Sequence, residues 1–260
     1  MTPSPPSSES APLRDRGALV TGGSRGIGRA IVTRLAAAGA AVVFTYCTSA
    51  AAAEALVDEI REQGGRAHAV PCDLADSEQT AGAFEATTVT LADRFGIGLD
   101  IVVANAGIFT SAPLDGLDLS EWDHAMAVNA RGTLLTLQFA ARNLRDNGRI
   151  ITISTIGTHW PSPGEAAYAA SKAAAEQLTR VASRELGGRG ITANVLALGP
   201  TDTDLLRSTA PPAALDATAA MTALGRIGGP ADIAGMVALL AHQDSGWITG
   251  QIIRADGGLT

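Results

Sequence analysis

Cysteine is scarce: two residues in 260, Cys47 and Cys72, which excludes a disulfide framework. Both follow expected strands, read as two partly buried thiols, and fit a reducing cytoplasm. Aromatic residues make up 4% of the chain, with two tyrosines among them, so Ala, Val, Leu and Ile must build most of the core. Charged residues reach 17% and carry a net charge of −7, which argues against nucleic acid and anionic membranes as partners. No apolar run attains the roughly 18–20 residues that cross a bilayer. The N-terminus lacks a charged start followed by an apolar stretch, so it is not read as a secretory signal. Its Pro, Ser and Glu content suggests a flexible leader over 1–14, ahead of a single domain at 15–260. No metal site is expected.

What is present is glycine, 29 residues of it, and a steady alternation of apolar patterns. Short, nearly continuous apolar runs predict strands at 17–21, 40–46, 66–73, 99–107, 148–155, 191–198 and 250–254. Helical spacing fills 26–39, 49–65, 77–95, 120–144, 165–187 and 230–242. Strands of this kind alternating with helices imply an α/β fold: a doubly wound parallel sheet covered on both faces, the Rossmann architecture. Ligands of such sheets bind at the carboxyl ends of the strands. The segment 204–222 interrupts the alternation and is expected to be a mobile lid over the substrate.

"VTGGSRGIG", residues 20–28, joins the first strand to the first helix. Gly22, Gly26 and Gly28 let backbone approach a pyrophosphate, with Ser24, Arg25 and Ile27 between them, and the helix start offers free N–H groups. At the end of the second strand, "FTYCTSA" has no acid to hold a ribose 2′-hydroxyl. Tyr46, Thr48 and Ser49 supply donors there, and Arg25 a charge. That set suits the extra phosphate of NADP(H). Tyr168 and Lys172 lie four residues apart on one helix, hence on one face. A cation beside a phenol favours the phenolate, so the tyrosine is placed to exchange a proton with a substrate oxygen.

The Gly-x-x-x-Gly-x-Gly spacing, with Tyr-x-x-x-Lys downstream, resembles the short-chain dehydrogenase/reductase family in its shorter form, over residues 16 to 260. The last stretch, "GRIGGPADIAGMVALLAHQDSGWITGQIIRADGG", resembles the branch containing 3-oxoacyl-[acyl-carrier-protein] reductases and related ketoreductases. The resemblance implies that Tyr168 is the catalytic acid/base, and that Lys172 binds the nicotinamide ribose and lowers the tyrosine pKa. It places Asp73 and Leu74 at the adenine, and Asn105, Ala106 and Gly107 along the adenosine side. Asn129 would hold a helix kink and a proton-relaying water. Gly199, Thr201 and Thr203 would shape the loop over the nicotinamide and pyrophosphate. A catalytic hydroxyl is due at the end of the fifth strand, where two compete. Thr155 has the usual interval to Tyr168; Ser154 has the usual residue type. Two positions depart from the family pattern: Ala104, where many relatives have Asn, and Leu198, where most have Pro.

The substrate side is assigned to His159 and Trp160, the 109–114 loop and the lid. The implied reaction is NADPH-dependent reduction of a keto-acyl or polyketide-like ketone in the cytoplasm. Alternatives are an alcohol dehydrogenase working oxidatively and a non-catalytic NADP-binding sensor. An acyl-carrier protein is a possible partner, since Arg142, Arg145, Arg184 and Arg189 would make a basic face, although the net charge and Asp146 oppose it. A homotetramer is expected, packed through helices 120–144 and 165–187.

Overall fold

The computed structural model describes residues 11–209 and 212–260. Seven strands are present: β1 (Gly17–Val20), β2 (Ala41–Tyr46), β3 (Arg66–Pro71), β4 (Leu99–Ala104), β5 (Leu144–Thr155), β6 (Thr192–Leu198) and β7 (Ile252–Ala255). They form one sheet in the order β3-β2-β1-β4-β5-β6-β7, and each neighbouring pair is parallel. Chain direction therefore reverses its sideways progress between β1 and β4, which opens a crevice at their carboxyl ends. The expected doubly wound sheet is the observed one.

Nine α-helices accompany the strands among the described residues: α1 (Gly26–Ala37), α2 (Ala50–Glu62), α3 (Ser77–Val89), α4 (Leu119–Ala125), α5 (Gly132–Asn143), α6 (Ala166–Glu185), α7 (Asp204–Thr209), α8 (Pro212–Met221) and α9 (Pro230–Ala241). Side chains alternate across the sheet, so each strand feeds two cores. Ala18, Val20, Val42, Phe44, Ile151 and Ile153 pack under α1, α2 and α9. Leu19, Val43, Val102 and Ile150 pack under α3, α5 and α6. At the other end of the sheet Asp100, 2% exposed, ties three strands together. It accepts from the Gly17 N–H at 2.8 Å, from Arg145 at 2.9 and 2.6 Å, and from Arg16 at 3.2 Å.

Two expectations need adjustment. Residues 1–10 of the expected leader lie outside the described residues, but 11–14 belong to the fold. Leu13 is buried, and its N–H donates to Ala38 O at 2.9 Å. The expected helix 120–144 is two helices joined by a π-helical stretch, Met126–Arg131. The segment 204–222, expected to be a lid, contains α7 and α8, and Pro212 stands in the first turn of α8, where a missing N–H costs nothing. Among the described residues, no helix is long and apolar enough to cross a membrane.

Candidate active site

A cavity of about 1470 Å³ opens at the carboxyl ends of the strands. The β1–α1 turn forms its floor. Gly22 has φ +67°, a left-handed conformation that disfavours a side chain, and its N–H donates to Thr45 Oγ1 at 3.2 Å. At Gly28 a Cβ would fall 2.0 Å from Gly22 O, so this position admits no side chain. Asn105 locks the turn to β4, donating from Nδ2 to Thr21 O at 2.9 Å and Gly22 O at 3.1 Å. No side chain caps α1, and its first turn holds no acid. Its free N–H groups therefore face the cavity lined by Ser24, Arg25, Gly26 and Ile27, an arrangement suited to a pyrophosphate. Thr203 reaches over this loop: its Cγ2 would lie 3.7 Å from a Cβ on Gly26.

Beside the turn, Tyr46, Thr48 and Ser49 line the cavity with Arg25, and residues 44–50 contain no carboxylate. Arg25 is exposed and has no ion pair among the described residues. Ser49 precedes α2 without a side-chain cap. A cation, hydroxyls and an uncapped helix start fit a 2′-phosphate. The exposed thiol of Cys47 joins this wall, a member that sequence reading left out as inert. Asp73, Leu74, Asn105, Ala106 and Gly107 line the same cavity, as do Gly199 and Thr201. Gly199 keeps its place without the usual proline before it, because its N–H donates to Ala255 O at 3.0 Å on the edge strand β7.

The proposed reaction centre sits where β5 meets α6. Lys172 is buried and donates from Nζ to Ile153 O at 3.0 Å. Burial pulls its pKa down to about 8, with the Glu176 charge resisting. Asn129 lies buried beside it in the π-helical stretch. Its Oδ1 accepts from the Ile108 N–H at 2.8 Å, while Nδ2 donates to Ile108 O at 2.9 Å and Ser171 Oγ at 3.0 Å. The amide thus satisfies a loop strand end rather than facing solvent.

The two competing hydroxyls are separated by strand parity. Thr152 and Ser154 lie in one row facing α6. Thr152 Oγ1 is 2.7 Å from Thr179 Oγ1, and Ser154 Oγ donates to Glu176 Oε1 at 2.6 Å. Thr155 belongs to the other row; its Oγ1 accepts from the Gly157 N–H at 3.1 Å and lies near enough to the Tyr168 phenol to favour its ionised form. Burial, with the Glu165 charge adding, pushes the phenol up to about 12, and the Thr155 hydroxyl only partly offsets this.

Phe109 packs edge-on against Tyr168, ring centroids 5.1 Å apart. Trp160 lines the cavity as expected; His159 does not, being exposed and 2.9 Å from Thr158 Oγ1 through Nδ1. Leu205 and Leu206 of α7 and Met221 of α8 close one side. Glu165 and Glu176 escaped the sequence reading. Glu176 continues the Tyr168–Lys172 face at the next i+4 step, which is the signal that pointed to it. The expected basic face is reduced: Arg145 is held by Asp100, while Arg189 is held by Asp146 and the Ala141 and Leu144 carbonyls.

Comparison with known proteins agrees with this geometry. The family profile described as enoyl-(acyl carrier protein) reductase matches residues 22–260. A chloroplastic NADPH-dependent aldehyde reductase-like protein of Arabidopsis thaliana is 36% identical over 260 residues, covering 95% of both chains. A short-chain dehydrogenase/reductase from Serratia marcescens superposes with a TM-score of 0.88 at 42% identity, over 95% of this chain and 99% of that one. The landomycin C-6 ketoreductase LanV, solved with NADP and rabelomycin bound, gives 0.88 at 39% identity, over 96% and 98%. Glycine turn, phosphate corner and Tyr–Lys helix have one common explanation: the chain belongs to the short-chain dehydrogenase/reductase family, as an NADP(H)-dependent oxidoreductase.

Proposed function

We propose that the protein reduces a ketone to a secondary alcohol, with Tyr168 as the proton donor. The observation that carries this reading is that Tyr168, Lys172 and Thr155 line one cavity with the glycine turn at the carboxyl ends of the strands. Burial favours the protonated phenol, the form a reduction needs in its donor. The glycine turn, Arg25 and the β2 hydroxyls would hold NADPH by its phosphates, and Lys172 would reach the ribose. When bound, that cofactor supplies the hydride. Thr155 donates a hydrogen bond to the substrate oxygen, Tyr168 passes its proton to the same atom, and the Lys172 ammonium offsets the phenolate left behind. Asn129 fixes the Ile108 backbone beside the lysine.

The substrate wall of Phe109, Trp160, Leu205 and Met221 suits an apolar or aromatic ketone. A polyketide-like ketone is favoured over a carrier-bound acyl chain, because two of the four arginines of the expected docking face are engaged internally. A neighbour described as a ketoreductase with rabelomycin bound supports the same choice. Two free thiols are consistent with work in the cytoplasm. The outer faces of α5 and α6, where Leu134 and Val181 are exposed, would pair subunits in a homotetramer.

The test follows NADPH and NADH absorbance with β-keto thioesters, cyclic ketones and quinones, using Tyr168→Phe as control. Turnover with NADPH that vanishes in the variant, while NADPH still binds, is the expected result. A variant as active as wild type would overturn the reading.

A further inference from the structure

Glu165 stands directly before α6, where a carboxylate ordinarily caps the first amides. It makes no such bond. Among the described residues its side chain has no hydrogen bond or ion pair at all. It turns instead into the cavity, three residues before Tyr168, with Oε2 only 3.0 Å from the point where a Gly157 side chain would begin. The group is partly buried, which raises its pKa, and its charge is felt by the Tyr168 phenol. The cavity's other acids are placed differently. Asp73 accepts from its own loop at Ala75 N, 2.9 Å, and Asp204 opens α7.

A partly desolvated acceptor with no donor is a cost that a ligand can remove. Substrate filling the cavity would shield Glu165 from bulk solvent. The incoming molecule must then bring a donor to that point, or leave the carboxylate unpaired. A second negative charge placed there meets repulsion in a medium of low dielectric.

We propose that Glu165 determines specificity in the substrate pocket: it selects neutral ketones that carry a hydroxyl donor on the ring that bears the carbonyl, and it turns away ketones that carry a carboxylate there. This rests on the ketone-reductase reading above and names the substrate class that the reading leaves open.

The test compares 1-tetralone, 4-hydroxy-1-tetralone and the matching 4-carboxylate, with NADPH, in wild type, Glu165→Gln and Glu165→Leu. Wild type is expected to favour the hydroxy ketone and to handle the carboxylate at least about tenfold less well in kcat/KM than the parent, the scale of one charged hydrogen bond. Glu165→Gln keeps shape and removes charge, so it should recover the carboxylate by about tenfold, chiefly through KM. Glu165→Leu should abolish the preference for the hydroxyl. Ratios unchanged in Glu165→Gln overturn the proposal. If no ketone turns over, calorimetric binding of the three probes to the NADP-loaded protein reads the same ratios. Absent turnover then counts against the reductase reading, while the binding ratios still decide the role of Glu165.

Discussion

Ser154 donates a 2.6 Å hydrogen bond to Glu176, and this bond commits one of two adjacent hydroxyls to the helix behind it. Thr158 donates to the same carboxylate oxygen at 2.8 Å, so Glu176 also anchors the turn that follows β5. Thr155 is left as the hydroxyl on the phenol's side. Thr155→Val should lower kcat by about a hundredfold, the usual loss when one donor to a developing oxyanion is removed. Ser154→Ala should cost about 1–2 kcal/mol of stability by depriving a buried carboxylate of a partner, with little change in kcat. Paired kinetics and thermal melts separate the two. A larger kinetic loss in Ser154→Ala would reverse the assignment.

Lys172 carries a pH signature. Its pKa is pulled from 10.5 down to about 8, whereas the phenol stands at about 12. Reduction should therefore decline on the alkaline side with a midpoint near 8, set by loss of the ammonium, while Tyr168 keeps its proton throughout. Stability moves the other way. Between about pH 8 and 10.5 an unfolded chain holds a proton that the folded lysine has released, so stability rises with pH across that window. Tyr168 has the opposite sign, lowering stability from pH 10 to 12. Lys172→Met should erase the gain in melting temperature between pH 8 and 10. Glu176→Gln, by removing the charge that favours the ammonium, should move the alkaline limb of activity to lower pH.

Arg25 should set cofactor choice. It is exposed, without an ion-pair partner among the described residues, and lines the same corner as Thr48 and Ser49. Arg25→Ala should raise KM for NADPH by about tenfold or more and leave NADH nearly unaffected, as expected when a charge-assisted phosphate contact is lost. Equal losses with both cofactors would mean that the side chain serves the turn instead.

Asp100 should matter to stability alone. It lies at the amino ends of the strands, away from the cavity, with Arg16, Arg145 and the Gly17 N–H as partners. Asp100→Ala leaves the Gly17 N–H unpaired while the half-exposed arginines turn to solvent, and should cost about 1–3 kcal/mol. Denaturant unfolding would measure it, and NADPH binding by the folded fraction should be unchanged.

Most of the fold and of the cofactor wall was legible because its signals are local. A strand's apolar run, three glycines at fixed spacing and a Tyr–Lys pair each span fewer than ten residues. What escaped depends on neighbours distant in sequence. Glu176 reads as one more surface acid on an alanine-rich helix until Ser154 and Thr158 are brought to it. Glu165 reads as a helix cap until its side chain is seen turning aside. That Ser154 faces α6 was visible only once Thr152, two residues earlier, was found facing Thr179. The upward shift of the phenol was equally hidden, since i+4 spacing announces the lysine but not how dry its surroundings are.

The π-helical stretch at Met126–Arg131 holds one residue more than a regular turn would. Asn129 occupies that surplus and spends its amide on the Ile108 backbone. Removing one residue here would restore a regular α-helical ladder from α4 into α5 with the two helices still in phase, but the amide that holds Ile108 would lose its place. The same deletion inside α5 would turn the rest of its buried face by about 100° from the sheet. Indel scanning should therefore find a one-codon deletion in this short span compatible with folding and costly to activity, and a deletion within α5 costly to folding itself.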